Sequence, residues 1–327
     1  MLPPQLISTS RFGFAIFYMR CLLFVAFFCL ATASANRAQE NREAPPSKGL
    51  CYAFQREEDL WAVCEGKRER INIPFKASQF AISSNGTYLA YYTRKTSPIG
   101  RVLPRQELIL VSLASGFKKI QKESGATTER LYGTCGTIMK YNNGKNVSTP
   151  IIEGEWSSTA LARGFLQCSS DRRVIASWAR ANTVEVSKDP GEVIITLNGA
   201  EIHRLPKVGV NFRISPAGAF VAYGQQNGTK FQNCVLELTH SPSCTVDLDA
   251  NNRSTEAVSD RGEVLYSIGT EKLCGQFACN GIEYRRPGAA KGEILEGDDS
   301  FDPQWITPQI AERLHGWASS LTSSAPQ

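Results

Sequence analysis

Residues 212–225 read FRISPAGAFVAYGQ: an alternating apolar run, a Ser-Pro-Ala-Gly turn, then a denser apolar run ending in a small residue and an aromatic. The same frame returns as FAISSNGTYLAYYT from Phe80, as LQCSSDRRVIASWA from Leu166 and, in a shorter form, as AVSDRGEVLYSIGT from Ala257. Each part has a physical reason. Ser83, Ser169, Ser215 and Ser259 are placed to hydrogen-bond their own backbone two residues on, and Gly86, Gly218 and Gly262 supply the positive φ of a tight turn. Arg172 stands where the other copies have glycine, so that copy needs either a less strained turn or a left-handed arginine. The runs after the turns, such as Tyr88-Leu89-Ala90-Tyr91 and Phe220-Val221-Ala222-Tyr223, are too apolar for a face in water and read as buried central strands.

Spacing converts the frame into an architecture. The serines at 169, 215 and 259 lie 46 and 44 residues apart, the period of a four-stranded propeller blade. From Ser83 to Ser169 is 86 residues, close to two periods, and LYGTCGTIMKY from Leu131 supplies a degenerate copy between them. Strand-turn-strand segments follow the hairpins: ELILVSLASGFKKI from Glu107, EVIITLNGAEIHRL from Glu192, CVLELTHSPSCTVDL from Cys234 and GIEYRRPGAAKGEIL from Gly281. The segment LCYAFQREEDLWAVCEGKRERINI from Leu50 is such a pair with no hairpin before it, and SFDPQWITP from Ser300 begins a hairpin that stops. Joining the two closes a ring and removes exposed strand edges. The expected fold is therefore all-β, a β-propeller of six four-stranded blades closed by strands from both termini, with five or seven blades as the alternatives.

With its repeats in this form, the chain resembles the WD40-like repeats of the TolB type, whose motif runs Phe-Ser-Pro-Asp-Gly-Lys-apolar-apolar-Ala-Phe. RISPAGAFVAY carries the resemblance best, with Ala217 at the usual aspartate. The resemblance spans roughly residues 50 to 305 and implies the propeller fold. Because that class hosts translocation accessory proteins, peptidase gating domains and other envelope proteins, it implies no particular activity.

Four regions are expected. Residues 1–35 read as a secretory signal: Arg20, an apolar run from Cys21 to Leu30, and cleavage after Ala35, with Met19 as an alternative start. That run is shorter than the ~20 residues a membrane span requires. Residues 36–48 read as a flexible linker and 49–306 as the propeller. Residues 307–327 read as a short helix capped by Thr307, with Ile310, Ala311 and Leu314 on one face, and a disordered SSLTSSAPQ end. A periplasmic or secreted monomer follows.

Removal of the leader reduces ten cysteines to eight, an even number that in an exported chain reads as disulfides. Three close pairs fall inside hairpins, Cys51 with Cys64, Cys234 with Cys244 and Cys274 with Cys279, which leaves Cys135 for Cys168. With three histidines in the chain and no short Cys-x-x-Cys spacing, no metal or cofactor is expected. The net charge of +5 is mild and gives no reason for nucleic acid as a partner. The Asn-x-Ser/Thr sequons at Asn85, Asn146, Asn227 and Asn252 serve as turn residues unless the host glycosylates them.

No Gly-x-Ser-x-Gly elbow, His-Glu-x-x-His pair or phosphate-binding glycine loop is present. The segment from Asn142 to Arg163 is long for an inter-strand turn and reads as an excursion over one face. The leading expectation is a non-enzymatic binding or scaffold propeller of the cell envelope, holding a protein or glycan. The alternative is a carbohydrate-active or other hydrolytic propeller. Its candidate acids are Glu153, Glu155 and Asp302, because such enzymes work with paired carboxylates. Against this stands the plainer role of acidic residues as solvated turn caps.

Overall fold

The computed structural model describes residues 49–57, 59–73, 77–93, 106–114, 119–125, 129–142, 147–152, 155–156, 162–179, 191–228, 230–240, 243–246, 253–274, 277–289, 291–297 and 299–323. The expected leader and linker lie outside these residues.

The chain is a β-propeller. A closing sheet joins β1 (Cys51–Arg56), β2 (Asp59–Cys64) and β3 (Lys67–Ile71) to β24 (Ser300–Trp305), in the order β24-β1-β2-β3. The second sheet is β4 (Ala77–Ile82), β5 (Tyr88–Thr93), β6 (Gln106–Ser112) and β7 (Lys119–Gly125). The third is β8 (Glu129–Thr134), β9 (Thr137–Asn142) and β10 (Val147–Ile152), with β11 (Glu155–Trp156) and β12 (Ala162–Arg163) both on β10. A seven-stranded sheet follows: β13 (Leu166–Cys168), β14 (Val174–Ala179), β15 (Gly191–Leu197), β16 (Ala200–Ile214), β17 (Phe220–Asn227), β18 (Lys230–Glu237) and β19 (Ser243–Val246). The last sheet is β20 (Arg253–Val258), β21 (Val264–Cys274), β22 (Phe277–Arg285) and β23 (Glu293–Glu296).

The first strands follow one another around a ring. β24 lies beside β4, β4 beside β8, β13 beside the far half of β16, β16 beside β20, and β20 beside β24. The step from β8 to β13 is made by the Cys135–Cys168 disulfide and by Thr134 Oγ1, which donates to the Cys168 carbonyl and accepts from the Cys168 amide, both at 3.0 Å. Apolar clusters fill the spaces between neighbouring sheets, for example Tyr92, Leu108 and Leu110 of the second sheet against Leu131 and Ile138 of the third. Pairing of the two termini through β24 and β1 agrees with the sequence expectation. It leaves neither as the bare edge of an open array.

Two features depart from the hairpin scheme. β16 runs 15 residues, pairing with β15 in its first half and β17 in its second, so the outer strand of one unit continues directly as the inner strand of the next. Lys207, left-handed at φ 58° after Pro206, lies at the change of partner. In the stretch read as a surface excursion the described residues are strand: β10, β11 and β12 extend the third sheet outward.

The repeat turns form as the sequence requires at their glycines. The amides of Gly86, Arg172, Gly218 and Gly262 donate to the carbonyls of Ser83, Ser169, Ser215 and Ser259 at 2.8–3.0 Å, and all four residues have φ between 60° and 77°. Arg172 thus takes the left-handed option. The Ser259 hydroxyl accepts from Arg261 N two residues on at 3.2 Å, as expected, whereas Ser83, Ser169 and Ser215 accept from the amide five residues on, at 2.8–3.1 Å, tying the two strands together. In two copies the short-range bond belongs to Asn85 and Asp171, which accept from Thr87 N and Arg173 N.

Helix α1 (Pro308–Ser323) starts at Thr307, whose Oγ1 accepts from Ile310 N at 3.3 Å. Ile310, Ala311, Leu314, Trp317 and Ala318 join Leu60, Ile71, Phe80 and Leu89 in the cluster between the closing and second sheets. The helix continues through Ser323, beyond the point where disorder was expected. Leu321 packs on that cluster, and Ser319 and Ser320 donate back to the carbonyls of His315 and Trp317.

This docking makes Gly86 doubly constrained: its φ is 67°, its carbonyl accepts from Arg313 Nη1 at 3.1 Å, and an added Cβ would collide with Ile310. Gly86→Ala should cost about 2 to 3 kcal/mol in urea unfolding, combining a left-handed alanine with overpacking. Gly66→Ala, also at positive φ but with open space around it, should cost clearly less.

Candidate functional site: the central channel

The first strands enclose a cavity of about 580 Å³. Each contributes alternate side chains inward, and in two repeats the inward residue two positions before the turn serine is polar. These are Gln167 and Arg213, where the other copies have Ala81 and Ala257. Leu166 and Cys168, flanking Gln167, pack instead into the cluster with Cys135 and Met139.

Two carboxyl groups reach the channel through irregularities of their strands. The register of β20 against β21 shifts between Thr255 and Ala257, so Glu256 occupies a bulge. The register of β24 against β1 shifts between Gln55 and Ala53, opposite Asp302 and Pro303, and Asp302 is left-handed at φ 51°. Bulges redirect side chains, and a non-glycine residue held at positive φ is a local cost that the surrounding structure sustains.

Arg213 holds this part of the wall together. Its Nε donates to the Glu256 carbonyl at 2.8 Å, its Nη2 to Glu256 Oε2 at 3.1 Å and its Nη1 to the Phe212 carbonyl at 2.9 Å. Its guanidinium carbon lies 4.6 Å from the centre of the Tyr132 ring, a cation–π arrangement. Arg130, more open to solvent, completes a group of two guanidinium and two carboxyl side chains; interaction with Tyr132, Glu256 and Asp302 holds its charge firmly. Burial, and after it the charge of Glu256, pushes the Asp302 carboxyl up to about 7, against the opposing pull of Arg130 and Arg213.

Three buried polar atoms on residues lining the cavity have no hydrogen-bond partner among the described residues: Gln167 Nε2, Ser267 Oγ and Trp305 Nε1. Gln167 is 2 % exposed. At the end of the channel nearest the repeat turns, the tips bond to each other. Ser84 Oγ accepts from Gly136 N and lies 3.0 Å from Ser170 Oγ, Ser170 N donates to the Pro216 carbonyl, and Ala217 N donates to Asp260. Between strands, the Gln304 amide accepts from Ile82 N at 2.9 Å and donates to the Phe80 carbonyl at 3.1 Å, bridging β24 to β4.

Of the carboxylates singled out in the sequence, Asp302 is on the channel. Glu155 is in β11, three strands out from β8 in the third sheet, and its side chain lies outside the described residues. Glu153 lies outside the described residues. Glu256, Arg213 and Arg130 were not anticipated, whereas polar residues at a repeat position otherwise occupied by alanine were a usable signal for Gln167 and Arg213. Disulfides join Cys51–Cys64 and Cys234–Cys244, cross-strand partners in their hairpins, and Cys135–Cys168 between sheets. The side chains of Cys274 and Cys279 lie outside the described residues. His203, His240 and His315 bond at the Leu238 carbonyl, at Thr239 and at Glu69, away from the channel. Among the described residues no group of three metal-ligating side chains forms, and no helix is long and apolar enough to cross a membrane.

The raised Asp302 carboxyl gives a pH signature with a definite sign. The folded state binds this proton more tightly than the unfolded chain, so its stabilising contribution is full below about pH 4 and is lost as the pH rises to about 7. The loss should be on the order of 2 kcal/mol, less than the whole shift implies because the carboxyl keeps some contact with solvent. Urea unfolding at pH 4.5 and 8 should show a smaller drop for Asp302→Asn than for the native chain.

No family model matches this chain, and no curated protein matches it. Among solved structures it is similar to TolB from Acinetobacter baumannii, at 11 % identity over 80 % of this chain and 67 % of that one, with a TM-score of 0.46. A nidogen/laminin complex structure aligns at 9 % identity over 78 % of this chain and 98 % of that one, TM-score 0.49. The β-propeller domain of the Trilobed protease from Pyrococcus furiosus aligns at 15 % identity over 77 % and 84 %, TM-score 0.41. At these scores the architecture is argued from the ring of strands in this chain itself.

Proposed function

We propose that this is an exported, non-enzymatic binding protein of the cell envelope, built as a six-bladed propeller and holding its ligand or partner at the central channel. The blade count takes one blade per first strand, with β16 shared between two. The observation that carries the reading is the channel wall: a largely buried Arg213–Glu256 pair, an adjacent Asp302 on a strained bulge, and Gln167, whose Nε2 has no partner among the described residues. A buried donor left without an acceptor is costly, and such costs are tolerated where a ligand or water completes the bonding. The three disulfides among the described residues, with the leader expected from the sequence, support a periplasmic or secreted location, since such bonds persist in oxidising compartments.

The test exposes the purified protein, and its Gln167→Leu and Asp302→Asn variants, to envelope extract and to a glycan panel. The native chain should retain a partner or glycan that Gln167→Leu loses. Retention equal in all three would place binding outside the channel. The hydrolytic reading has one observation in its favour, the proximity of an acid with a raised proton affinity to a second carboxylate. Turnover of a glycan by the native chain, abolished in Asp302→Asn, would establish it instead.

A further inference from the structure

We infer that the channel takes a small organic carboxylate, with Arg130 as its charge partner and Gln167 as a neutral donor. This rests on the binding reading above and narrows its ligand to one chemical class.

Charge comes first. Arg213 is already committed: three of its N–H groups go to Glu256 and the Phe212 carbonyl, and its ring partner is Tyr132. The Glu256 carboxylate is correspondingly neutralised. Asp302, facing Glu256 from β24 and Arg130, Tyr132 and Arg213 from β8 and β16, is pushed by burial toward its uncharged form. That leaves the positive charge of Arg130 as the excess at the channel wall, and a single negative charge complements it. A doubly charged phosphate would face Glu256 and Asp302 with one charge too many, whereas a carboxylate matches the guanidinium in both charge and planar geometry.

Hydrogen bonding agrees. Gln167 Nε2, on a residue that lines the cavity, is a donor without an acceptor among the described residues; the Trp305 ring packs instead between sheets against Tyr284. A protonated Asp302 adds another donor. Such a wall suits a ligand rich in oxygen acceptors. Size agrees as well: about 580 Å³ lies in the range of small-molecule pockets. Hydrogen bonds between the turn tips lace one end, so the ligand enters from the opposite end, where the first strands begin.

The experiment uses the purified protein and two probe pairs, glucuronate with glucose and N-acetylglycine with its amide, measured by calorimetry at pH 6 and pH 8. At least one carboxylate should bind at pH 6 and exceed its neutral counterpart at least tenfold; the pair that responds distinguishes a sugar acid from an amino-acid-like source. Arg130→Gln, a change at an exposed side chain, should weaken it about tenfold while the variant still folds and unfolds cooperatively. Raising the pH to 8 should weaken binding to the native chain several-fold and leave Asp302→Asn unaffected. Equal binding of charged and neutral probes, no binding of either carboxylate, or indifference to Arg130→Gln overturns the inference. If a neutral glycan or a protein partner is then still lost in Gln167→Leu, the channel remains the binding site and only the carboxylate assignment falls. If nothing depends on Gln167, the binding reading itself falls.

Discussion

Glu296→Ala is expected to lower the stability of the folded chain by about 3 to 5 kcal/mol, the cost typical of removing one partner from a buried ion pair. Glu296 ends β23 in the last sheet, and its side chain is fully buried. Its partners are all on the closing sheet: Arg56 Nη2 at 3.0 Å, Arg68 Nη2 at 2.9 Å and the Tyr52 hydroxyl at 2.9 Å. Burial raises the proton affinity of Glu296 despite the opposing pull of Arg68, Tyr52 and Arg56, so desolvation outweighs the attraction of its neighbours. The network therefore adds little net stability over an apolar seam, yet breaking it is expensive. Alanine would leave two largely buried guanidinium groups without this carboxylate at the seam where the ring closes. Glu296→Gln keeps an oxygen acceptor in place and should cost less than half as much. Thermal or urea unfolding checks both; an alanine variant within 1 kcal/mol of the native chain would show that the seam is held by Leu50, Phe54, Leu265 and Ile282 alone.

Gly133→Ala should be about as damaging, at least 3 kcal/mol, for a different reason. Gly133 lies in β8 where it passes close to β4, and a Cβ there would collide with the carbonyl oxygen of Ile82. A flexible side chain could move aside. This oxygen belongs to a backbone anchored to β24, since Ile82 N donates to Gln304 Oε1 and the Phe80 carbonyl accepts from Gln304 Nε2. Relief must come from separating β4 and β8, which line the channel. Gly209→Ala, with nothing within 4 Å of its Cβ position, is the control and should change stability by less than about 1 kcal/mol. Loss of folded yield for Gly133→Ala beside normal yield for Gly209→Ala would agree; equal midpoints would mean that the close approach is easily relaxed.

The difference between what was legible in the sequence and what was not follows from the range of the interactions. Alternation, turn chemistry and spacing are local, and they determined the hairpins, the left-handed glycines at 86, 218 and 262, the pairing of Cys51 with Cys64 and of Cys234 with Cys244, and a ring closed by strands from both ends; that Arg172 is left-handed as well was decided only in the fold. Gln167 was within reach by the same means, as a polar residue where two other repeats carry alanine. Arg213 was within reach in the same way and Asp302 was singled out as an acid, but how these groups meet at the channel was not. Glu256 and Asp302 face it because bulges in β20 and β24 shift their side chains, and a bulge leaves no mark on an alternating pattern. Arg213 and Glu256 are 43 residues apart in the chain and meet because consecutive first strands are neighbours around the ring. The raised proton affinity of Asp302 belongs to no segment of the sequence: it arises where burial and the charge of Glu256 on another strand act on one carboxyl group together.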